Sequence, residues 1–345
     1  MVLSYEQIKS VTVGAVRFDV EDDWVKFYRF TKDQEEVLEG GFKIDSQSCS
    51  SVALDFTTDA EYISLNWKNI QYISGGKLQS DICVDGLLTW SFGNISEGFG
   101  GVESRGFDIS EGEFCLPLPK GSHRVQIMLC DRCRVLLKNV DLKNATFVTP
   151  YKRKVNLLCL GDSITQGHGT DHPSMTYVNR LGEALNANVI NLGIGGLGFN
   201  SKITASIADC NPDIITIAWG TNDWVSCTRE HTLKEIEKIK TILKDNFRNS
   251  ETEIYIITPI WRVDAEKGVP FRASTALNGD FFDYVNAIKE AFSEYSVIDG
   301  LKLIPHATCY FTDMSAHPND FGSVLYAISL RSEISKISKY SKFFN

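Results

Sequence analysis

Val155-Asn156-Leu157-Leu158-Cys159-Leu160 runs directly into Gly161-Asp162-Ser163-Ile164-Thr165-Gln166-Gly167. The first six residues read as a buried strand. The break into Gly-Asp-Ser places a serine on a tight turn at the strand's carboxyl end, where open α/β sheets keep their chemistry. A glycine before a serine is common by chance, so the weight of this turn depends on the partners encoded further along the chain.

Downstream, apolar strands alternate with helical segments. Val189-Ile190-Asn191-Leu192, Ile214-Ile215-Thr216-Ile217-Ala218 and Ile254-Tyr255-Ile256-Ile257-Thr258 read as strands. Residues 176–185 and 233–243 have helical spacing, and a last helix starts near Asp320 and runs into the 330s. Strand-helix alternation predicts a parallel sheet with helices on both faces.

Upstream the grammar differs. Val52, Leu54 and Phe56 alternate with polar residues, as do Ile63, Leu65 and Trp67, then Val125, Ile127 and Leu129, then Val135 and Leu137. Gly75-Gly76, Asp85-Gly86 and Lys120-Gly121-Ser122 punctuate them as turns. After the first few residues no helical period stands out. Short alternating strands with glycine-rich turns predict an antiparallel β-sandwich or jelly roll. The change falls near Thr149-Pro150-Tyr151-Lys152-Arg153-Lys154, which divides the chain into residues 1–150 and 151–345.

Bulk properties exclude several classes. The chain has 345 residues, 43% hydrophobic and 23% charged, enough for two cored domains without disorder. A formal net charge of −9 argues against nucleic acid, which needs a basic face. No apolar run reaches the roughly 18 residues of a membrane span. The amino terminus shows no secretory leader pattern, so a cytoplasmic location is expected; a secreted chain trimmed of its leader would read the same. Nine cysteines without framework spacing read as reduced thiols. Cys130-Asp131-Arg132-Cys133 lacks the second ligand pair of a metal site.

A nucleophilic serine needs a base, an orienting acid and donors for the oxyanion. Asn191-Leu192-Gly193-Ile194-Gly195-Gly196-Leu197-Gly198 follows the second strand of this half. It is either a close-approach loop or an ordinary strand-helix turn; the spacing of a dinucleotide loop is missing. Gly220-Thr221-Asn222-Asp223 follows the third strand. There Asn222 is either a donor or a helix cap. His317, one of six histidines, lies in Thr312-Asp313-Met314-Ser315-Ala316-His317-Pro318-Asn319-Asp320 before the last helix. It is the candidate base, with a nearby acid to fix its tautomer.

These four segments, in this order, resemble the SGNH (GDSL-type) hydrolase superfamily. The resemblance implies a three-layer α/β domain with Ser163 as nucleophile and His317 as general base. The oxyanion donors would be the backbone N–H groups of Ser163 and Gly196 and the side-chain amide of Asn222. The family pattern places an Asp three residues before the His; here that position is Met314, and Asp313 stands four before. Two readings stay open: Asp313 still reaches His317, or a Ser-His dyad works without an acid.

The pairing of a β-sandwich with an SGNH domain resembles carbohydrate esterase family 2 enzymes, which implies an acetylesterase on xylan, mannan or similar oligosaccharides. It implies no metal or organic cofactor. Trp224, Trp261 and Arg262 follow strand ends and are expected at the rim as sugar contacts, with loop packing as the other reading for either Trp. Phe199 and Phe311 read as core or wall. The mixed, polar stretch 265–278 is unlike the apolar lid of a long-chain lipase. A thioesterase or lysophospholipase of the same superfamily is the second enzyme reading. A glycan-binding protein with an inactive hydrolase domain is the reading from another class.

Overall fold

The computed structural model describes residues 1–71, 78–94, 109–265 and 276–345. The Gly75-Gly76 turn and residues 266–275 of the polar stretch lie outside them. In chain order the first part runs α1 (Tyr5–Val11), β1 (Thr12–Val13), β2 (Arg17–Glu21), β3 (Trp24–Tyr28), α2 (Lys32–Glu36), α3 (Gly41–Asp45), β4 (Ala53–Thr58), β5 (Tyr62–Gln71), β6 (Leu78–Val84), β7 (Leu87–Asn94), β8 (Ile109–Pro117), β9 (His123–Met128), β10 (Cys133–Lys143) and β11 (Val148–Pro150). The second part runs β12 (Val155–Gly161), α4 (Ser163–Gln166), α5 (Tyr177–Ala184), β13 (Ala187–Asn191), α6 (Ser201–Ala205), β14 (Ile214–Ala218), α7 (Thr221–Ser226), α8 (Arg229–Phe247), β15 (Glu253–Ile257), α9 (Phe281–Ala291), β16 (Ser296–Ile298) and α10 (Asp320–Ile337).

Two antiparallel sheets form the amino-terminal unit, ordered β1-β4-β9-β6-β7, with β11 also on β4, and β2-β3-β10-β5-β8. The alternating residues that predicted strands are the ones that meet. Leu54, Phe56, Val125 and Ile127 of the first sheet join Ile63, Leu65, Val135 and Leu137 of the second in one buried cluster, together with Ile82 of β6, a strand the alternation did not reveal. In β3 and β5 alternate side chains are buried, the period of two that the pleat imposes, whereas every residue of β6 is buried. The Asp85-Gly86 turn is the tight link of β6 to β7, and both residues take positive φ, 49° and 81°.

The carboxyl-terminal unit holds a parallel sheet ordered β13-β12-β14-β15-β16. The chain steps outward from β12 to β13, then returns past β12 to β14 and continues to β15 and β16. Right-handed crossovers in opposite directions put their helices on opposite faces. Accordingly α5 packs with α10, while α6 and α9 pack on α8. Tyr177 of α5 stacks on Tyr326 of α10 with ring centroids 4.2 Å apart. Val155, Leu157 and Cys159 of β12 share a buried cluster with Val178, Leu181, Leu330 and Ile334. Helix α8 starts earlier than the 233–243 pattern because Thr228 caps it, its Oγ1 accepting from His231 N at 3.3 Å.

The division is not one break near residue 150. Met1–Thr31, Lys43–Arg153 and Asp171–Ser174 cluster as one unit; Lys32–Phe42, Lys154–Thr170 and Met175–Asn345 cluster as the other. The short helix α2, which the sequence pattern did not reveal, is thus part of the second unit. There Gln34 Nε2 donates to Ser206 O at 3.3 Å, and Lys202 Nζ pairs with Glu39 at 2.9 Å. Among the described residues no helix is long and apolar enough to cross a membrane.

Candidate active site

The strand order reverses direction around β12, and it is at such a switch point, outside the carboxyl ends of the strands, that doubly wound sheets bind ligands. Ser163 lies there as the first residue of α4. Asp162 caps that helix, its Oδ1 accepting from Ile164 N at 2.9 Å. Burial pushes the Asp162 carboxyl up to about 6.

Ser163 Oγ lies 2.8 Å from His317 Nε2, and His317 Nδ1 lies 2.6 Å from Asp313 Oδ2. With the proton on Nδ1 donated to the carboxylate, Nε2 accepts from the serine hydroxyl. The acid four residues back reaches the imidazole because the intervening turn closes on it. Asp313 Oδ1 accepts from Ser315 N at 2.9 Å and from His317 N at 3.3 Å. Thr312 N donates to His317 O at 2.9 Å, closing the loop. Burial opposes ionisation of Asp313, but the hydrogen bonds and charge of His317 and the bond from Ser315 outweigh it. They hold the carboxyl below its usual range. Met314, at the family's acid position, is 56% exposed.

The loop after β13 is fixed by residues that spacing alone did not single out. Asn191 Nδ2 donates to Thr165 O at 2.7 Å, and its Oδ1 accepts from Gly193 N at 2.9 Å. Gln166 Oε1 accepts from Gly195 N at 2.6 Å. The loop is therefore tied to α4, directly behind Ser163. Gly196 has φ +79°, a left-handed conformation that favours glycine. A Cβ on Gly198 would stand 2.4 Å from Asp223 Oδ2, so only glycine fits against that carboxylate. Asp223 in turn accepts from Phe199 N at 3.1 Å, and burial pushes its carboxyl up to about 6. Asn222 is half-buried in α7, and its Nδ2 donates to Leu197 O at 3.1 Å. One N–H of that amide thereby holds the glycine loop. Ser163, Gly196 and Asn222 follow three adjacent strands, β12, β13 and β14.

Trp224, Trp261 and Arg262 are placed differently from the rim expectation. All three are buried, at 1%, 4% and 2% exposure. Trp224 Nε1 donates to Gly279 O at 2.9 Å, and its ring packs edge-on against Phe281. Trp261 stacks on His306 and meets Phe311 edge-on. Arg262 forms a two-pronged pair with buried Asp264, Nε to Oδ1 at 2.8 Å and Nη2 to Oδ2 at 2.9 Å. A strand-end aromatic or cation reads the same in sequence whether it turns outward or back into the core. Here Gly279 and Phe281 draw Trp224 inward, His306 and Phe311 draw Trp261, and Asp264 draws Arg262. Phe199 and Phe311 are buried as expected.

Among the described residues no group of His, Cys, Asp or Glu is arranged to hold a metal. The arrangement supplies a hydroxyl aligned with an imidazole, an imidazole oriented by a carboxylate, and amide groups on the adjoining glycine loop and on α7, a set of groups that suits acyl transfer through a covalent intermediate.

Residues 159–324 match the model of the GDSL-like lipase/acylhydrolase family. No curated protein matches the chain in sequence. Several solved structures share its fold. The salicylyl-acyltransferase SsfX3 of a tetracycline biosynthetic pathway superposes with TM-score 0.75 at 17% identity, covering 97% of each chain. A family two carbohydrate esterase from Cellvibrio japonicus gives 0.62 at 17%, covering 96% of each. An acetyl xylan esterase (Est2A) from the rumen bacterium Butyrivibrio proteoclasticus gives 0.60 at 13%, covering 97% of this chain and 98% of its own. At such identities the likeness concerns the fold of both units and not the substrate.

Proposed function

We propose that this chain, whose carboxyl-terminal domain belongs to the GDSL-like lipase/acylhydrolase family, is a serine esterase that removes acetyl or other short acyl groups from oligosaccharides. The observation that carries the chemical half is the continuous line Ser163 Oγ, His317 Nε2, His317 Nδ1, Asp313 Oδ2, with spacings of 2.8 and 2.6 Å. The carbohydrate half rests on the two-unit fold shared with the Cellvibrio and Butyrivibrio esterases. In this reading the two antiparallel sheets are a jelly-roll-like accessory domain.

In the first step Ser163 Oγ attacks the ester carbonyl while His317 Nε2 takes its proton. Asp313 steadies the imidazolium through Nδ1–H. The oxyanion is received by the N–H groups of Ser163 and Gly196 and by the second N–H of Asn222. His317 returns the proton to the departing sugar hydroxyl, leaving an acyl group on Ser163. Water, deprotonated by the same imidazole, then releases the acid and restores the serine.

An acyl-enzyme can also pass its acyl group to a second hydroxyl. The similarity to an acyltransferase across the full chain favours that as the second reading. Acetate release measured over a panel of acetylated oligosaccharides, with and without added alcohol acceptors, separates the two. Free acetate matching substrate consumed supports hydrolysis. Acylated acceptor in place of acetate supports transfer. No turnover of any sugar acetate, beside turnover of acyl thioesters or longer esters, overturns the carbohydrate reading.

A further inference from the structure

The buried Arg262 bonds to a neighbour of Asn222 and to a residue of the Asp313–His317 turn. Beyond its pair with Asp264, Nη1 donates to Thr221 O at 3.0 Å and Nη2 donates to Ser315 Oγ at 3.0 Å. Thr221 precedes Asn222 in α7, and Ser315 lies between Asp313 and His317. Ser315 Oγ also donates to Asp264 Oδ2 at 3.3 Å, and Val263 N donates to Ser315 O at 2.8 Å. The Ser315 backbone N–H is the one that holds Asp313 Oδ1, at 2.9 Å. The guanidinium carbon lies 5.0 Å from the centre of the Trp224 ring, which gives α7 a second hold on the same cation. Only a planar fork with several fixed donors can serve these partners at once; an ammonium on a flexible stem cannot.

From these contacts we propose that Arg262 is a positioning residue that sets Asn222 and the Asp313–His317 turn relative to each other. The inference rests on the proposed catalytic roles of Asn222, Asp313 and His317. A buried guanidinium must find acceptors for all its N–H donors, and beyond Asp264 this one finds them in the Thr221 carbonyl and the Ser315 hydroxyl. Here one side chain reaches both the helix that carries Asn222 and the turn that carries Asp313 and His317. A misplacement of about 1 Å at such a distance costs on the order of 100-fold in rate.

Two loss variants and one rescue variant test this. Arg262→Met with Asp264→Leu removes both charges and leaves no buried ion unpaired, which such sites tolerate in folding. Ser315→Ala breaks the link between the pair and the catalytic turn and leaves the pair itself in place. Both are compared with wild type by kcat and KM on p-nitrophenyl acetate and by the rate of fluorophosphonate labelling at Ser163.

Positioning predicts kcat lower by about 100-fold in the double variant and about 10-fold in Ser315→Ala. KM should move less than about threefold, and labelling should slow in parallel, because uniform binding is untouched. Ser315→Thr, which keeps the hydroxyl, should restore the rate. A wild type that labels, beside a Ser315→Ala protein that labels and turns over as fast, overturns the inference alone. A wild type that takes no label removes the esterase reading and this inference with it.

Discussion

Asp313 Oδ2 and His317 Nδ1 lie 2.6 Å apart across a turn one residue longer than the Asp-to-His spacing of the resembled family. The extra residue is absorbed because Asp313 Oδ1 accepts from two backbone N–H groups of its own turn. The carboxylate therefore holds the turn and the imidazole together. Asp313→Ala should lower kcat at least about 100-fold, towards the ~10⁴-fold loss seen when an imidazole takes the wrong tautomer. Steady-state turnover of a short-chain ester checks this. A near-normal rate would establish a Ser-His dyad instead.

Asn222 has two amide N–H groups to offer. One holds the glycine loop through Leu197 O, and the proposed mechanism gives the other to the oxyanion. Asn222→Ala should cost about 10²- to 10³-fold in kcat with little change in KM, as for removal of one oxyanion donor. Asn222→Asp should do at least as badly, because a carboxylate would face both Leu197 O and the developing oxyanion. A large rise in KM with kcat preserved would assign Asn222 to substrate binding.

The burial of Trp224 makes its prediction one of stability. Its ring fills space against Phe281 and beneath the Arg262 cation. Trp224→Ala should destabilise the protein by about 3–5 kcal/mol, as large-to-small core changes do. Urea denaturation would show it as a lower midpoint. An unchanged midpoint with weakened saccharide binding would return Trp224 to the rim.

Asp223 gives a pH signature. Burial raises its carboxyl to about 6 in the folded chain, against roughly 3.9 unfolded. The folded state therefore binds the proton more tightly, and stability falls as pH rises through about 4 to 6. Asp223→Asn keeps an acceptor for Phe199 N and removes the titration. The stability of this variant relative to wild type should grow by up to about 3 kcal/mol between pH 4 and pH 7. Urea titrations at several pH values that stay parallel for the two proteins would contradict the assignment. Asp313 acts with the opposite sign: its lowered carboxyl contributes stability above its unfolded range, and this is lost as pH falls.

Four of the five parallel strands were legible as apolar runs separated by helical spacing, and β14 starts and ends where Ile214–Ala218 predicted; β16, only three residues long, was not. Ser163, Gly196, Asn222 and His317 stood out through the four ordered segments that resemble SGNH hydrolases; taken singly, the glycine loop and Asn222 read equally well as a turn and a helix cap. Gln166, Asn191 and Asp223 did not, because they act by folding back onto a neighbouring loop. Polar residues near turns carry no sign of which loop they will meet. Arg262 was misread for a related reason. Its partner Asp264 is two residues away, but an Arg-x-Asp triplet looks the same whether it is solvated or closed inside the protein. The α2 segment crosses to the second unit through contacts such as Gln34 with Ser206, a pairing that no local pattern encodes.

The esterase assignment requires that Ser163 be a nucleophile activated by His317. Wild-type protein treated with a fluorophosphonate probe, digested and sequenced by mass spectrometry, should carry one stoichiometric adduct, on Ser163. Ser163→Ala should carry none, and His317→Ala should label slower by about 100-fold or more. Folded wild-type protein that takes no label, or takes it equally in Ser163→Ala, would contradict the esterase assignment outright.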